Sequence, residues 1–160
     1  MKLPPGALRH LFNIYPPFAA AGVCVREISP DWRRVRVRLS CRPWNRNWVG
    51  THFGGSLFSM TDPFWMIMLM ENLGRDYLVW DRAGEIRFEA AVREPVYCEF
   101  QLTEAVLDEL RAAAAGGDKV LRWFDCPVTT ADGRLVAAVR KQVYVRLKSR
   151  VRGDAAPPSA

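Results

Sequence analysis

The chain has 160 residues, enough for one domain that buries its own core without a metal or disulfide staple. Apolar residues make up 49% and charged residues 25%, with a net charge of +6, a balance that excludes disorder, collagen and fibrous repeats. No apolar run approaches the ~20 residues of a bilayer span, so no membrane partner is expected, and the longest stretch, Ser56 to Met70, reads as a core helix interrupted by Asp62-Pro63.

Residues 1–21 are expected to be a helical lead-in, with a short helix over 5–15 stopped by Pro16-Pro17. Lys2, the apolar residues after it and Ala19-Ala20-Ala21 faintly resemble a signal peptide, but Asn13 and Pro16-Pro17 interrupt the run. Gly22 to Ile28 reads as a strand and Ser29-Pro30-Asp31 as the turn after it. Arg34 to Leu39 alternates strictly, Val35, Val37 and Leu39 inward and three Arg outward, which predicts a hairpin with the first strand. This strand lies in a basic block, 26–46, of seven Arg against Glu27 and Asp31.

A loop over 41–53 precedes an apolar helix from about Gly55 to Leu73, with Gly74 as its C-cap. The helix is apolar almost all round, so other structure must wrap it. Leu78, Trp80, Ile86 and Phe88 share one parity in a strand over 77–90, with Gly84 as its bulge or turn. A strand over 95–103 follows, then a helix capped by Thr103 and ended by Gly116-Gly117. Strands 119–130 and 134–148 are joined by Ala131-Asp132-Gly133, a hairpin signal. Residues 140–153 carry Arg140, Lys141, Arg146, Lys148, Arg150 and Arg152 without an acid, and 150–160 reads as a flexible tail. Both basic blocks read as solvated strand faces, and with no base-reading signature beside them no nucleic-acid partner is expected. The cysteines at 24, 41, 98 and 126 are too widely spaced for a paired-cysteine zinc site. We therefore expect no metal, and reduced thiols in a cytoplasmic protein.

Antiparallel strands with one helix segregated to a face make an α+β fold, here a single domain over 1–149. A curved antiparallel sheet of about six strands wrapped around one long central helix satisfies the whole pattern.

The chemistry is concentrated between Asn47 and Asp62. Gly54-Gly55 opens a helix whose first N–H groups can approach a ligand oxygen, either a carbonyl becoming an oxyanion or a phosphate; otherwise the pair is an ordinary entry turn. Asp62 lies in an apolar stretch, where an unpaired carboxylate is costly. It reads either as a general base or nucleophile, or as the N-cap of a helix starting at Pro63. His52 reads as a loop-fixing donor or a base, and Asn47 as an amide that orients a carbonyl or satisfies its own loop. Gly54-Gly55-Ser56-Leu57-Phe58 lacks the last Gly of a nucleophile elbow, and only His10 and His52 are available to a serine triad. No Walker A or dinucleotide glycine pattern appears, so hydride and phosphoryl transfer have no support.

On these residues the chain resembles the hot-dog thioesterase superfamily, most closely a branch known as a domain of unknown function. In phenylacetate-degradation-type thioesterases an Asn precedes His-Gly-Gly, and a catalytic Asp follows after six intervening residues. Here Asn47 precedes Gly54-Gly55, Ser56 to Thr61 fill the interval, and Asp62 follows. Ile86-Arg87-Phe88 also looks like the strand after the helix in that family. Two positions depart: Phe53 separates His52 from Gly54, and Pro63 enters what the family makes a continuous helix, where it should kink it.

The resemblance implies a hot-dog fold and hydrolysis of an acyl-CoA or acyl-carrier thioester, with coenzyme A present only as part of the substrate and no cofactor. The thioester carbonyl would face the N–H of Gly55, with Gly54 and His52 beside it. Asn47 would orient it, and Asp62 would attack or activate water. Phe53, Ser56, Phe58, Thr61, Trp65 and Arg87 are the expected substrate contacts, with Arg82, Arg93 and the 140–152 cluster as further cations for the phosphates. In that family the carboxylate faces a partner's helix start, which implies a homodimer, or a homotetramer, with the site at the interface. The alternatives are a non-catalytic acyl-CoA-binding module in which Asp62 caps a helix and, less favoured, a hot-dog hydratase or dehydratase using His52.

Overall fold

The computed structural model describes residues 3–148, so the tail expected over 150–160 lies outside the described residues. Six strands form one antiparallel sheet: β1 (Val23–Ile28), β2 (Arg34–Leu39), β3 (Tyr77–Phe88), β4 (Val96–Gln101), β5 (Val120–Thr130) and β6 (Leu135–Leu147). Their spatial order is β1-β2-β4-β5-β6-β3, which leaves β1 and β3 as edges. The helices are α1 (Pro5–Ile14), α2 (Pro16–Ala21), α3 (Gly54–Ser59), α4 (Phe64–Leu73) and α5 (Glu104–Ala114).

The α+β arrangement follows from side-chain alternation. Val35, Val37 and Leu39 of β2 and Val96, Cys98 and Phe100 of β4 are buried against Phe64, Met68 and Leu69 of α4. The Arg of β2 lie on the other face, where Arg34 pairs with Glu27 at 2.5 Å and Arg36 with Glu99 at 3.7 Å. Part of the first basic block is thus balanced by neighbouring acids on the sheet's outer face. No helix among the described residues is long and apolar enough to cross a membrane.

Three local expectations change. The central helical segment covers 54–73, but it is broken into α3 and α4 rather than kinked. Pro63 has no N–H to donate and its ring crowds the preceding turn, so the helix restarts after it. Pro16-Pro17 opens α2 instead of only ending α1, because a proline in the first turn lacks only an N–H that would go unpaired there. In β3 the irregularity lies between Asp81 and Ala83, not at Gly84.

That bulge inverts the alternation, since one extra residue sends every following side chain to the other face. Val79 and Asp81, opposite Val145 and Val143, face the core side; Leu78 and Trp80 face outward, and Trp80 stacks on Tyr144 at 3.9 Å. Ile86 and Phe88 return to the core side.

Gly22 anchors the lead-in to the sheet. It ends α2 at φ +82, and a Cβ there would lie 2.1 Å from Nδ2 of the buried Asn45. That amide donates to the Ala21 and Ser40 carbonyls at 2.7 and 2.8 Å, and its Oδ1 accepts from the Arg42 N–H at 2.6 Å. Gly22→Ala should therefore both strain the backbone and orphan a buried amide, lowering stability by about 2–4 kcal/mol. Gly117, at φ +83 with open space around it, isolates the backbone part, and its change to Ala should lower stability by about 1 kcal/mol. Urea unfolding of the two variants should separate them in that order.

Candidate active site

The start of α3 is built by two aromatic rings. The Phe53 carbonyl accepts from the N–H groups of Ser56 and Leu57 at 3.0 and 3.1 Å, which begins the helix and leaves the Gly54 and Gly55 N–H groups without intrahelical acceptors. A Cβ on Gly54 would lie 2.7 Å from the Phe88 ring, and one on Gly55 2.4 Å from the Phe53 ring. The glycines are therefore seats for two rings, each more than half exposed, at 57% and 55%. A cleft of about 370 Å³ lined by Asn47, His52, Gly54, Leu57 and Phe88 lies on one side. On the other, Trp44, Asn45, Phe53, Gly55 and Ser56 line one of about 550 Å³.

Asn47 is engaged inside its own loop. Its Nδ2 donates to Thr51 Oγ1 at 2.8 Å and to the His52 carbonyl at 3.1 Å, while its Oδ1 accepts from the Thr51 N–H at 2.9 Å. Of its two expected roles, this geometry is the loop-satisfying one. His52 is buried, with Nε2 2.8 Å from the Glu94 carbonyl. A carbonyl only accepts, so Nε2 carries a proton and ties the 47–53 loop to the segment before β4. Its Nδ1 is buried without a hydrogen-bond partner among the described residues.

Asp62 stands beyond the other end of α3, in the turn before Pro63. It does not cap α4: Pro63 occupies that position, with no side-chain cap bond. Its carboxylate instead accepts from Lys141 Nζ at 2.6 Å, with half of the side chain still exposed. Lys141 projects from β6 on the core side, 6% exposed, its Nζ also 3.5 Å from Asp81 on β3 and 5.2 Å from the centre of the Phe58 ring. Phe58 in turn packs on Gly84, where a Cβ would lie 2.5 Å from the ring. Burial is the main cause that pushes the Asp81 carboxyl up to about 6; the Asp62 charge adds to it and Lys141 opposes it.

The other expected contacts divide. Phe53 and Ser56 line the larger cleft, and Phe58 covers Lys141. Thr61 is fully buried and donates to the Phe58 carbonyl at 2.7 Å, closing the end of α3. Trp65 is a core residue: it stacks on Phe124 at 4.5 Å, and its Nε1–H donates to Cys126 Sγ at 2.9 Å. Arg87 is exposed and paired with Glu89. The sequence presents Lys141 only as one cation of the basic 140–152 cluster and gives Asp81 no role, although Lys141 shares the inward parity of Val139, Val143 and Val145. Among the described residues no group of three His, Cys, Asp or Glu side chains is placed to hold a metal.

Comparison with known proteins agrees with this architecture. The family described as "Domain of unknown function (DUF4442)" matches residues 7–145, and the chain belongs to it. No curated protein matches the sequence. Among solved structures, a Pseudomonas aeruginosa protein of unknown function, described as a probable thioesterase, superposes with a TM-score of 0.78 at 20% identity, covering 92% of this chain and 99% of its own. A Haemophilus influenzae thioesterase superposes at 0.65 with 10% identity, covering 92% of this chain and 93% of its own. A mutant of a P. aeruginosa thioesterase also reaches 0.65, at 9% identity and with 92% of this chain and 97% of its own covered. These likenesses establish the hot-dog fold.

Proposed function

We propose that this DUF4442 member hydrolyses the thioester of an acyl-CoA or acyl-carrier substrate. The observation that carries the reading is Asp62: a half-exposed carboxylate held by the buried ammonium of Lys141. In this reading a water oxygen bonds to the thioester carbonyl carbon while Asp62 takes the water's proton. The oxyanion is met by the free N–H groups of Gly54 and Gly55. The C–S bond then breaks, the leaving thiolate takes up the proton, and the products are a carboxylic acid and a free thiol.

Gly55 and Asp62 stand at opposite ends of α3, so the reading needs a homodimer in which Asp62 of one protomer faces the helix start of its partner. A twelve-residue edge strand, β3, lies beside Asp62 and is available for that pairing. Asn47 and His52 then serve the reaction by shaping the loop that presents Gly54 and Gly55. The His52 Nε2 contact with a backbone carbonyl disfavours the hydratase alternative. Four free cysteines fit a reducing, cytoplasmic setting.

The test is thiol release across acyl-CoAs from short to long and aromatic, with the solution mass measured in parallel. Turnover with a chain-length optimum and a mass of at least two chains is expected. Retention of acyl-CoA without thiol release would identify a binding module instead.

A further inference from the structure

Lys141 is out of place for a strand residue. Its inward neighbours on β6 are Val139, Val143 and Val145, all buried, and an ammonium at such a position is costly unless it is paired and hydrogen-bonded. It is paired twice, at 2.6 Å with Asp62 and at 3.5 Å with Asp81, and its stem passes 3.4 Å from where a Gly84 Cβ would be. Asp81 reaches this face only because the bulge after it sets the alternation of β3. Its second oxygen, Oδ1, is buried without a hydrogen-bond partner among the described residues. The edge strand, the neighbouring strand and the break between α3 and α4 thus each contribute one charged group to a single row.

We propose that Lys141, seated by Asp81, is the positioning residue that orients the Asp62 carboxylate for thioester hydrolysis. This rests on the reading of Asp62 given above. Two carboxylates and one ammonium leave a net negative charge, which one proton neutralises. Asp81 is the place for that proton, because it is the more buried of the two acids and its Oδ1 is open to it. From β5 the titratable group facing the row is Cys126, whose thiol burial pushes up to about 12, so it stays neutral throughout. Arg140 belongs to the opposite parity of β6 and pairs with Asp125, and Glu85 is exposed on β3. As pH rises through about 6, loss of the Asp81 proton makes Lys141 divide its attraction between two carboxylates, which loosens its hold on Asp62.

The experiment combines thiol release from acyl-CoA as a function of pH with carboxyl-carbon NMR titration, on wild type, Lys141→Met, Asp81→Asn and Asp62→Asn, each checked by thermal melting. In Lys141→Met, kcat should fall by about tenfold or more with KM nearly unchanged, which a general packing defect would not produce. The Asp81 carboxyl should titrate near 6 in wild type, move up in Lys141→Met and move down in Asp62→Asn. Asp81→Asn should fold whether or not Lys141→Met does, and should remove the inflection near 6 from the rate profile. Thiol release that disappears in Asp62→Asn but is untouched in rate and pH profile in Asp81→Asn and Lys141→Met overturns this proposal and leaves the hydrolase reading standing. An Asp81 titration indifferent to both neighbours also overturns it. No thiol release from wild type overturns the hydrolase reading, and the positioning role falls with it even where the titrations are coupled.

Discussion

Asp62→Asn should lower kcat for thiol release by about 10²–10⁴-fold, the range spanned by the loss of a general base, with KM little changed. The size follows from what the substitution removes. Asn is nearly isosteric with Asp and keeps an oxygen that can accept from Lys141, so the 2.6 Å contact is replaced rather than emptied. Lys141 is left with Asp81 as a one-to-one ion pair, which is better balanced than the present two acids on one base. Folding should therefore survive, and a melting temperature equal to or above that of wild type would show that it has. An amide, however, takes no proton from water and makes no attack on a carbonyl carbon. Wild-type kcat in this variant would remove the carboxylate from the reaction, and with it the observation on which the proposed hydrolysis rests.

The sheet was legible because alternation is a strong signal wherever one face is buried. Val35, Val37 and Leu39, and Val96, Cys98 and Phe100, declare their strands and their inward faces without further information. β3 was harder. Its side chains are mostly half-buried or exposed, so no burial pattern marks the bulge, and Gly84 looked the natural place for an irregularity. Gly84 is in fact a glycine because the Phe58 ring lies on it. Gly54-Gly55 presents the same ambiguity. In the sequence the pair suggests only the N–H groups it frees, while the contacts that demand glycine there are the rings of Phe88 and Phe53, one of them from a strand more than thirty residues away. Close approaches of this kind are tertiary and leave no local trace. The row of Asp62, Lys141 and Asp81 was invisible for a related reason: its members lie on three elements, and Lys141 was absorbed into a basic run. Only its parity with three valines distinguishes it from the solvated residues beside it.

Phe64→Ala should be the most destabilising single change in the lead-in and central helix, lowering unfolding free energy by about 3–5 kcal/mol. Phe64 is 1% exposed at the start of α4, and its ring lies 5.1 Å from that of Phe100 on β4, 5.7 Å from Phe12 on α1 and 6.1 Å from Phe18 on α2. One side chain therefore joins the sheet, the central helix and both lead-in helices, and its removal leaves a cavity that three separately anchored elements cannot all collapse into. A domain of this size has a total stability of only about 5–15 kcal/mol, so the loss would be a large fraction of it. Phe12 offers the contrast. Its ring stacks on Phe18 at 5.4 Å, but it is only partly buried and belongs to α1 alone. Phe12→Ala should lower stability by about 1–2 kcal/mol, mainly through loosened docking of α1. In urea unfolding, Phe64→Ala should shift the midpoint well below that of Phe12→Ala with the slope unchanged, which is the signature of lost stability within one cooperative unit. Equal midpoints would mean that the lead-in helices do not share the core of the sheet, and that the aromatic cluster is a contact between independently stable parts.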